Sequence, residues 1–363
     1  MNESKRRKAA VRAAEERSTP ALLITHPADV RYLTGFTGSN AAVVLDRARP
    51  VLFTDGRYKT QAAQQSPGVR IVVEQKPAPV AAVEYITTRN HTSCGYDPDN
   101  TTVSAFDRLR RALPSKTRRS FFHPLPGLIA GLREIKDADE ISRMRRAAKL
   151  GCTLFDVALE HLTPGATEAS VAAAMEFAAR QAGASAMSFD TIIASGKRSA
   201  LPHGVASSAR LPRKGFVTLD FGVLLDGYCS DMTRTVHLGI ASRRHREVYD
   251  SVLEAQQAAV AIVRSGVTSG EVDEAARSVL RQAGLGKYFS HSTGHGVGLE
   301  IHEGPRIASK QKQVLEPGMV ITIEPGVYLP GEFGIRIEDM VLVTATGGEV
   351  LTSLSPKHWI EVE

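Results

Sequence analysis

Cysteine is scarce: 363 residues contain three, Cys94, Cys152 and Cys229, with no CxxC pair. So odd and scattered a set builds neither a disulfide framework nor a zinc ribbon. No stretch approaches the ~18 uninterrupted apolar residues that a membrane-spanning helix needs. The opening segment MNESKRRKAAVRAAEERS is charged and lacks the apolar centre of a secretory signal, so a cytoplasmic protein is the default expectation. Aromatic residues make up only 6% and do not interleave with the basic clusters, and no nucleic-acid motif is present. The net charge of +6 is concentrated in KRRKAAVR, KTRR (116–119) and RRHR (243–246), which read as solvated helix and loop surface. Neither nucleic acid nor membrane is therefore an expected partner.

The chain does have the apolar mass of a large globular protein, 42% against 23% charged, and enough length for two domains. In the first third, ALLIT (21–25), NAAVVLD (40–46), PVLFTD (50–55) and VRIVVE (69–74) read as strands, with helical stretches such as YKTQAAQQ and VSAFDRLRRAL among them. This predicts a mixed α/β domain over 1–130. The Pro- and Gly-bearing segment FFHPLPGLIAGLREIK (121–136) reads as a loop at the boundary, with the second domain over 131–363. There DADEISRMRRAAKLGCTLFDVALEHL and EASVAAAMEFAARQAGA are amphipathic helices, followed by a strand and a hairpin. The order recurs: REVYDSVLEAQQAAVAIVRSG and SGEVDEAARSVLRQAG, a glycine-rich segment, then the hairpin MVITIEPGVYLPGEFGIRIEDMVLV. Two helices followed by an acid-bearing hairpin thus appear twice, which suggests an internal duplication and an α+β class.

The hairpins hold the chemistry. In VTLDFGVLLDGYCSDMTRT (217–235), Asp220 and Asp231 interrupt apolar strands. A four-residue loop at 224–227 would set them opposite each other, where like charges destabilise a sheet unless a cation lies between them. Glu324 and Glu338 are placed symmetrically about Gly331 in the second hairpin. Four carboxylates on paired strands suit hard divalent cations, and arginines such as Arg234 or Arg336 are the other partners open to them. Strand parity puts Thr233 on the face of Asp231, Thr322 on that of Glu324, and Arg336 on that of Glu338. Between the hairpins, HSTGHGVGLEIHEGPR (291–306) supplies His291, His295 and His302, and LPHGV supplies His203. The glycines flanking His295 allow close backbone approach.

These residues resemble the pita-bread metallopeptidases, which include methionine aminopeptidase, aminopeptidase P and prolidase. The family pattern of Asp, Asp eleven residues on, His in GHGxG, Glu in EPG and a final Glu is matched by Asp220, Asp231, His295, Glu324 and Glu338. RYLTGFTGS and FTDGRY are similar to creatinase-type N-terminal domains. The resemblance implies a C-terminal pita-bread domain with duplicated helices and antiparallel sheet. It also implies two divalent cations, most readily Mn²⁺, with Co²⁺ or Zn²⁺ as alternatives. Asp231 and Glu338 would bridge them, Asp220 completing one and His295 with Glu324 the other. Branches that lost the metal, such as creatinase and some binding proteins, have lost ligands, and none is missing here.

RIED, STGHGVGLEIHE and SALPHG resemble the proline-specific members. The implied reaction is hydrolysis of the bond before a proline in second position, by an aminopeptidase P or a prolidase. Methionine aminopeptidase specificity and a non-catalytic binding protein are the alternatives. Glu324 would carry protons, and His302 would contact the scissile region. His203 and His291 would line the proline pocket, and Arg336 would orient Glu338 or a substrate group. Arg306 resembles an arginine that prolidases set against a substrate carboxylate. The resemblance further implies a homodimer in which RYLTGFTGS borders the partner's active site.

Overall fold

A computed structural model describes residues 3–362. The chain divides into two compact units, one ending at Arg133 and the other starting at Glu134.

The first unit is built on a six-stranded mixed sheet in the order 70–73, 51–54, 42–45, 22–24, 94–96, 122–124. The strands Ala42–Leu45 and Val51–Thr54 are buried along their whole length. That is why they read as continuous apolar runs rather than alternating ones. The helix Ala78–Thr88 covers them through Ala82, Val83 and Ile86. Two segments take structure that the sequence left open, and a third differs from its expectation. KRRKAAVR lies in the helix Glu3–Glu15, whose small buried residues Ala10 and Ala14 give a weak periodic signal. RYLT of RYLTGFTGS ends the helix Pro27–Thr34, stopped by Gly35 at φ 79°. The supposed boundary loop contains the strand Phe122–Pro124 and the helix Leu128–Glu134.

The second unit contains the two helix pairs, Ala138–His161 with Glu168–Gln181 and Arg243–Ile262 with Ser269–Gln282. Capping boxes start three of them, at Asp137 with Glu140, Thr167 with Ser170, and Thr268 with Glu271. Each satisfies amide donors that the first helical turn leaves open. The first pair packs Leu154, Phe155, Val171 and Met175 against Val217, Leu219 and Val236. The second packs Val252, Ala255, Val272 and Ala276 against Ile321, Ile323 and Val341. Each half thus has its own core of helix pair on hairpin. On both hairpins alternate residues enter those cores, and the residues between them, Thr218, Asp220, Thr233, Thr322 and Glu324, point the other way.

Candidate metal centre

The first hairpin is tighter than its sequence suggests. Asp226 and Gly227 both have positive φ, 51° and 83°, and form a two-residue loop between the pairs Leu225–Tyr228 and Leu224–Cys229. Right-handed strand twist favours this turn, and Asp-Gly suits it. The register therefore places Thr233, not Asp231, opposite Asp220. The shift is two residues, so Asp231 stays on the same face and becomes a diagonal neighbour of Asp220. In the second hairpin the pairs Ile323–Asp339 and Gly326–Arg336 bracket Glu324 and Glu338, which lie opposite each other where the ladder is interrupted.

The third element is the strand Gly294–Gly296, which brings His295 beside the second hairpin. A Cβ on Gly294 would lie 2.0 Å from the Thr322 carbonyl oxygen, and one on Gly296 would lie 2.0 Å from that of Gly304. Both glycines are thus needed for the strands to close around the histidine.

These elements gather the acids and imidazoles into one cavity of about 640 Å³, lined by all five expected ligands and by His203, His291, His302, Arg306 and Arg336. One ligand atom from each of Asp231, His295 and Glu338 can be chosen so that the three lie within 4.8 Å of one another. The His295 Nε2 is 3.6 Å from Asp231 and 3.5 Å from Glu324. Thr322 accepts from the His295 amide at 3.1 Å and donates to Glu324 at 3.3 Å, while Thr233 donates to Glu338 at 2.6 Å. Each half therefore places a strand threonine against a glutamate.

Arg336 donates to Asp220 at 2.5 Å, to the Thr233 hydroxyl at 3.1 Å and to the Tyr328 hydroxyl at 2.5 Å. It thus holds Asp220 directly and is hydrogen-bonded to Glu338 through Thr233, where the expectation had it orienting Glu338 or a substrate group. Arg234 instead pairs with Asp339 at 2.8 Å, outside the cluster. A salt bridge therefore accounts for one oxygen of Asp220 and for none of the other three acids. The other Asp220 oxygen, Oδ1, is buried without a hydrogen-bond partner.

Burial, and then the neighbouring carboxylates, push Asp231 and Glu338 well above the ordinary range. Glu324 is raised to about 8, chiefly by burial and further by Asp220. Burial lowers His295 to about 4, leaving a neutral imidazole able to ligate. Four crowded acids, one orphaned carboxylate oxygen and a neutral histidine fit a cation site.

The remaining histidines differ in what they offer. His302 is exposed in the cavity, edge-on to His295 with ring centres 4.3 Å apart. His203 is likewise exposed there. His291 is engaged at both nitrogens, by the Ser292 carbonyl at 2.8 Å and the Tyr328 hydroxyl at 3.0 Å. The carbonyl only accepts, so Nδ1 carries the proton and Nε2 accepts from Tyr328. His291 therefore presents a ring wall and no free polar atom. Tyr328 escaped the sequence reading, although Glu324 and Tyr328 share a parity that could have flagged it.

Residues 142–345 match the model of metallopeptidase family M24, and residues 6–135 match the creatinase/prolidase N-terminal domain. The chain belongs to metallopeptidase family M24. An M24 relative, the Xaa-Pro dipeptidase of Pyrococcus furiosus, is 37% identical over 94% of this chain and 96% of its own length. The solved structure of the Xaa-Pro dipeptidase from Bacillus anthracis superposes with a TM-score of 0.95 at 40% identity, covering 99% and 100% of the two chains. The X-Pro aminopeptidase from Thermotoga maritima gives 0.88 at 34% identity, covering 97% and 100%. Membership of M24, with the acid and histidine cluster intact, makes the chain a divalent-metal-dependent hydrolase with the pita-bread fold.

Proposed function

We propose that the protein is an Xaa-Pro dipeptidase, hydrolysing the bond between a first residue and a following proline. The observation behind this reading is one cavity that joins the acidic cluster to an exposed Arg306, which makes no ion pair among the described residues. A guanidinium at the wall of a peptidase cavity suits the free carboxylate of a dipeptide. The Xaa-Pro dipeptidase names of close relatives support the choice. An aminopeptidase acting on longer peptides is the second reading, favoured by likeness to the Thermotoga maritima enzyme.

In this proposal Asp220, Asp231, His295, Glu324 and Glu338 hold two divalent cations. Manganese suits four carboxylates and one imidazole better than a structural zinc site would. Bound there, the ions would acidify a water and polarise the carbonyl before the proline. Glu324 takes the proton of the attacking water and delivers it to the prolyl nitrogen, a poor leaving group unless protonated. His302 and His203 face the reacting carbonyl and donate to its developing charge. His291 packs against the proline ring. Arg336 keeps Asp220 oriented and Arg306 anchors the carboxylate.

The experiment offers manganese-reconstituted enzyme Ala-Pro, Ala-Pro-Ala and Met-Ala-Ser. Cleavage of Ala-Pro alone supports the dipeptidase, and cleavage of Ala-Pro-Ala at a similar rate supports the second reading. Cleavage of only Met-Ala-Ser would overturn both. Replacing Arg306 with Gln is expected to raise KM for Ala-Pro while leaving Ala-Pro-amide unaffected. A cytoplasmic homodimer completes the proposal, checked by cell fractionation and sedimentation.

A further inference from the structure

Two buried carboxylates stand outside the metal cluster, and each fastens a loop that bears active-site histidines. Glu168 opens the helix Glu168–Gln181 and is fully buried. Its Oε1 accepts from the Ser195 amide at 2.8 Å and the Ser195 hydroxyl at 2.9 Å. Its Oε2 accepts from Arg198 at 3.0 Å, and from the Ser207 amide and hydroxyl at 3.2 and 2.6 Å. Arg198 also donates to the Val205 carbonyl at 2.9 Å. The partners of this one carboxylate thus lie on both sides of His203, Ser195 and Arg198 before it and Ser207 after it. The same loop reaches toward the metal cluster through the Pro202 carbonyl, which accepts from Arg336 at 3.1 Å.

Asp273, also fully buried, does the matching work in the second half. It accepts from Arg277 at 2.7 and 2.8 Å, and from the Thr293 amide and hydroxyl at 3.2 and 2.8 Å. Arg277 goes on to hold the carbonyls of Phe289 and His291 at 3.3 and 2.9 Å. Thr293 lies two residues before His295, and its carbonyl accepts from the Glu324 amide at 2.8 Å. When the two helices are aligned by their capping threonines, Thr167 and Thr268, the two acids fall one turn apart on the same face.

We propose that Glu168 is a positioning residue that acts through His203, and that Asp273 does the same for the loop of His291 and His295. A carboxylate with this many convergent donors has one placement, so the loop that donates to it has one as well. Nothing else on the loop 201–207 contacts the His203 ring by hydrogen bond among the described residues, so the imidazole is aimed by its backbone. The proposal rests on the role given to His203 above.

The test is a double-mutant cycle on the manganese enzyme, with Glu168→Gln, His203→Ala and the pair, read as kcat/KM at 25 °C on folded protein. Misplacement of an active group by about 1 Å costs on the order of 100-fold. Glu168→Gln is therefore expected to lower kcat/KM by roughly 10- to 100-fold in the native background and to change nothing further once His203 is alanine. Additive losses, or full activity of Glu168→Gln, overturn the proposal. If His203→Ala is itself fully active, the role of His203 falls and the proposal falls with it, whereas additive losses leave that role standing. Should Glu168→Gln not fold, Ser207→Ala removes the 2.6 Å bond from the loop side and is held to the same cycle. For Asp273→Asn, manganese titration is the readout, with affinity expected to fall about 10- to 100-fold as for other groups that orient a metal ligand. Unchanged affinity overturns that half.

Discussion

Chelating the metal should make the catalytic unit less stable as pH rises. The perturbation leaves Asp231, Glu324 and Glu338 crowded in a buried site with all three pushed above the ordinary range. A carboxyl whose folded pKa lies above its unfolded value stabilises the fold at low pH and loses that contribution as pH rises through the folded value. Glu324 titrates at about 8 in the folded protein, and an unfolded glutamate at about 4.3. Between pH 6.5 and 8 the folded chain therefore holds a proton that the unfolded chain does not. At about 1.36 kcal/mol per pH unit, this one residue lowers stability by roughly 2 kcal/mol across that window. Asp231 and Glu338 act in the same direction. His291 and His295, lowered to about 4, act oppositely, but an unfolded histidine is half protonated at about 6.5 and nearly neutral by 8, so the pair offsets only about 0.8 kcal/mol over this window, which Asp231 and Glu338 outweigh.

For a unit of this size, roughly 2 kcal/mol corresponds to a fall of about 4–8 °C in Tm. Divalent cations hold the same carboxylates as anions, so the saturated enzyme should lack this slope. The gap in Tm between manganese-saturated and chelated protein should accordingly widen from pH 6.5 to 8. Trp359 is the single tryptophan and packs on Phe216, His237 and Tyr249 in the second unit, so its fluorescence reports that unit alone. Groups remote from the site cancel in the difference between the two states. A gap that stays constant, or a chelated protein that gains stability over this window, would refute the reasoning.

Other outcomes follow from single contacts. Thr233→Val removes the hydroxyl that joins Arg336 to Glu338 and leaves two buried polar groups unpaired, so manganese affinity should fall about 10-fold by calorimetric titration. Tyr328→Phe frees the His291 Nε2 and deprives Arg336 of an acceptor; about 1–3 kcal/mol of stability should be lost in chemical denaturation. Ile323→Ala, fully buried beneath the second helix pair, should cost about 2–5 kcal/mol in the same assay. Gly294→Ala would bring a methyl against the Thr322 carbonyl and should abolish metal binding even where the chain remains folded, as judged by circular dichroism and metal analysis.

Much of the site is legible in the amino-acid sequence because its ligands are chemically conspicuous. A carboxylate in a strand, at Asp220 or Glu324, contradicts the local apolar pattern, and the contradiction recurs in both hairpins. The strands of the first unit are legible for the opposite reason, as short apolar runs bounded by turn residues. The helix Glu3–Glu15 is not, because alanines bury little surface and its charges dominate the pattern.

The sequence by itself determined the inventory: two domains, a duplicated order of helices and hairpins, five candidate ligands and their neighbouring histidines. It could not determine register. Parity is preserved by a shift of two residues, so the face of Asp231 was legible while its partner across the ladder depended on Asp226 and Gly227 both adopting positive φ. Nor could it determine which arginine serves which acid. Arg336 reaches Asp220 across 116 positions of chain and Arg234 reaches Asp339 across 105, separations at which local pattern has no bearing. Hydrogen-bond partnership is set by where packing brings the donors, and the apolar cores of the two halves decide that.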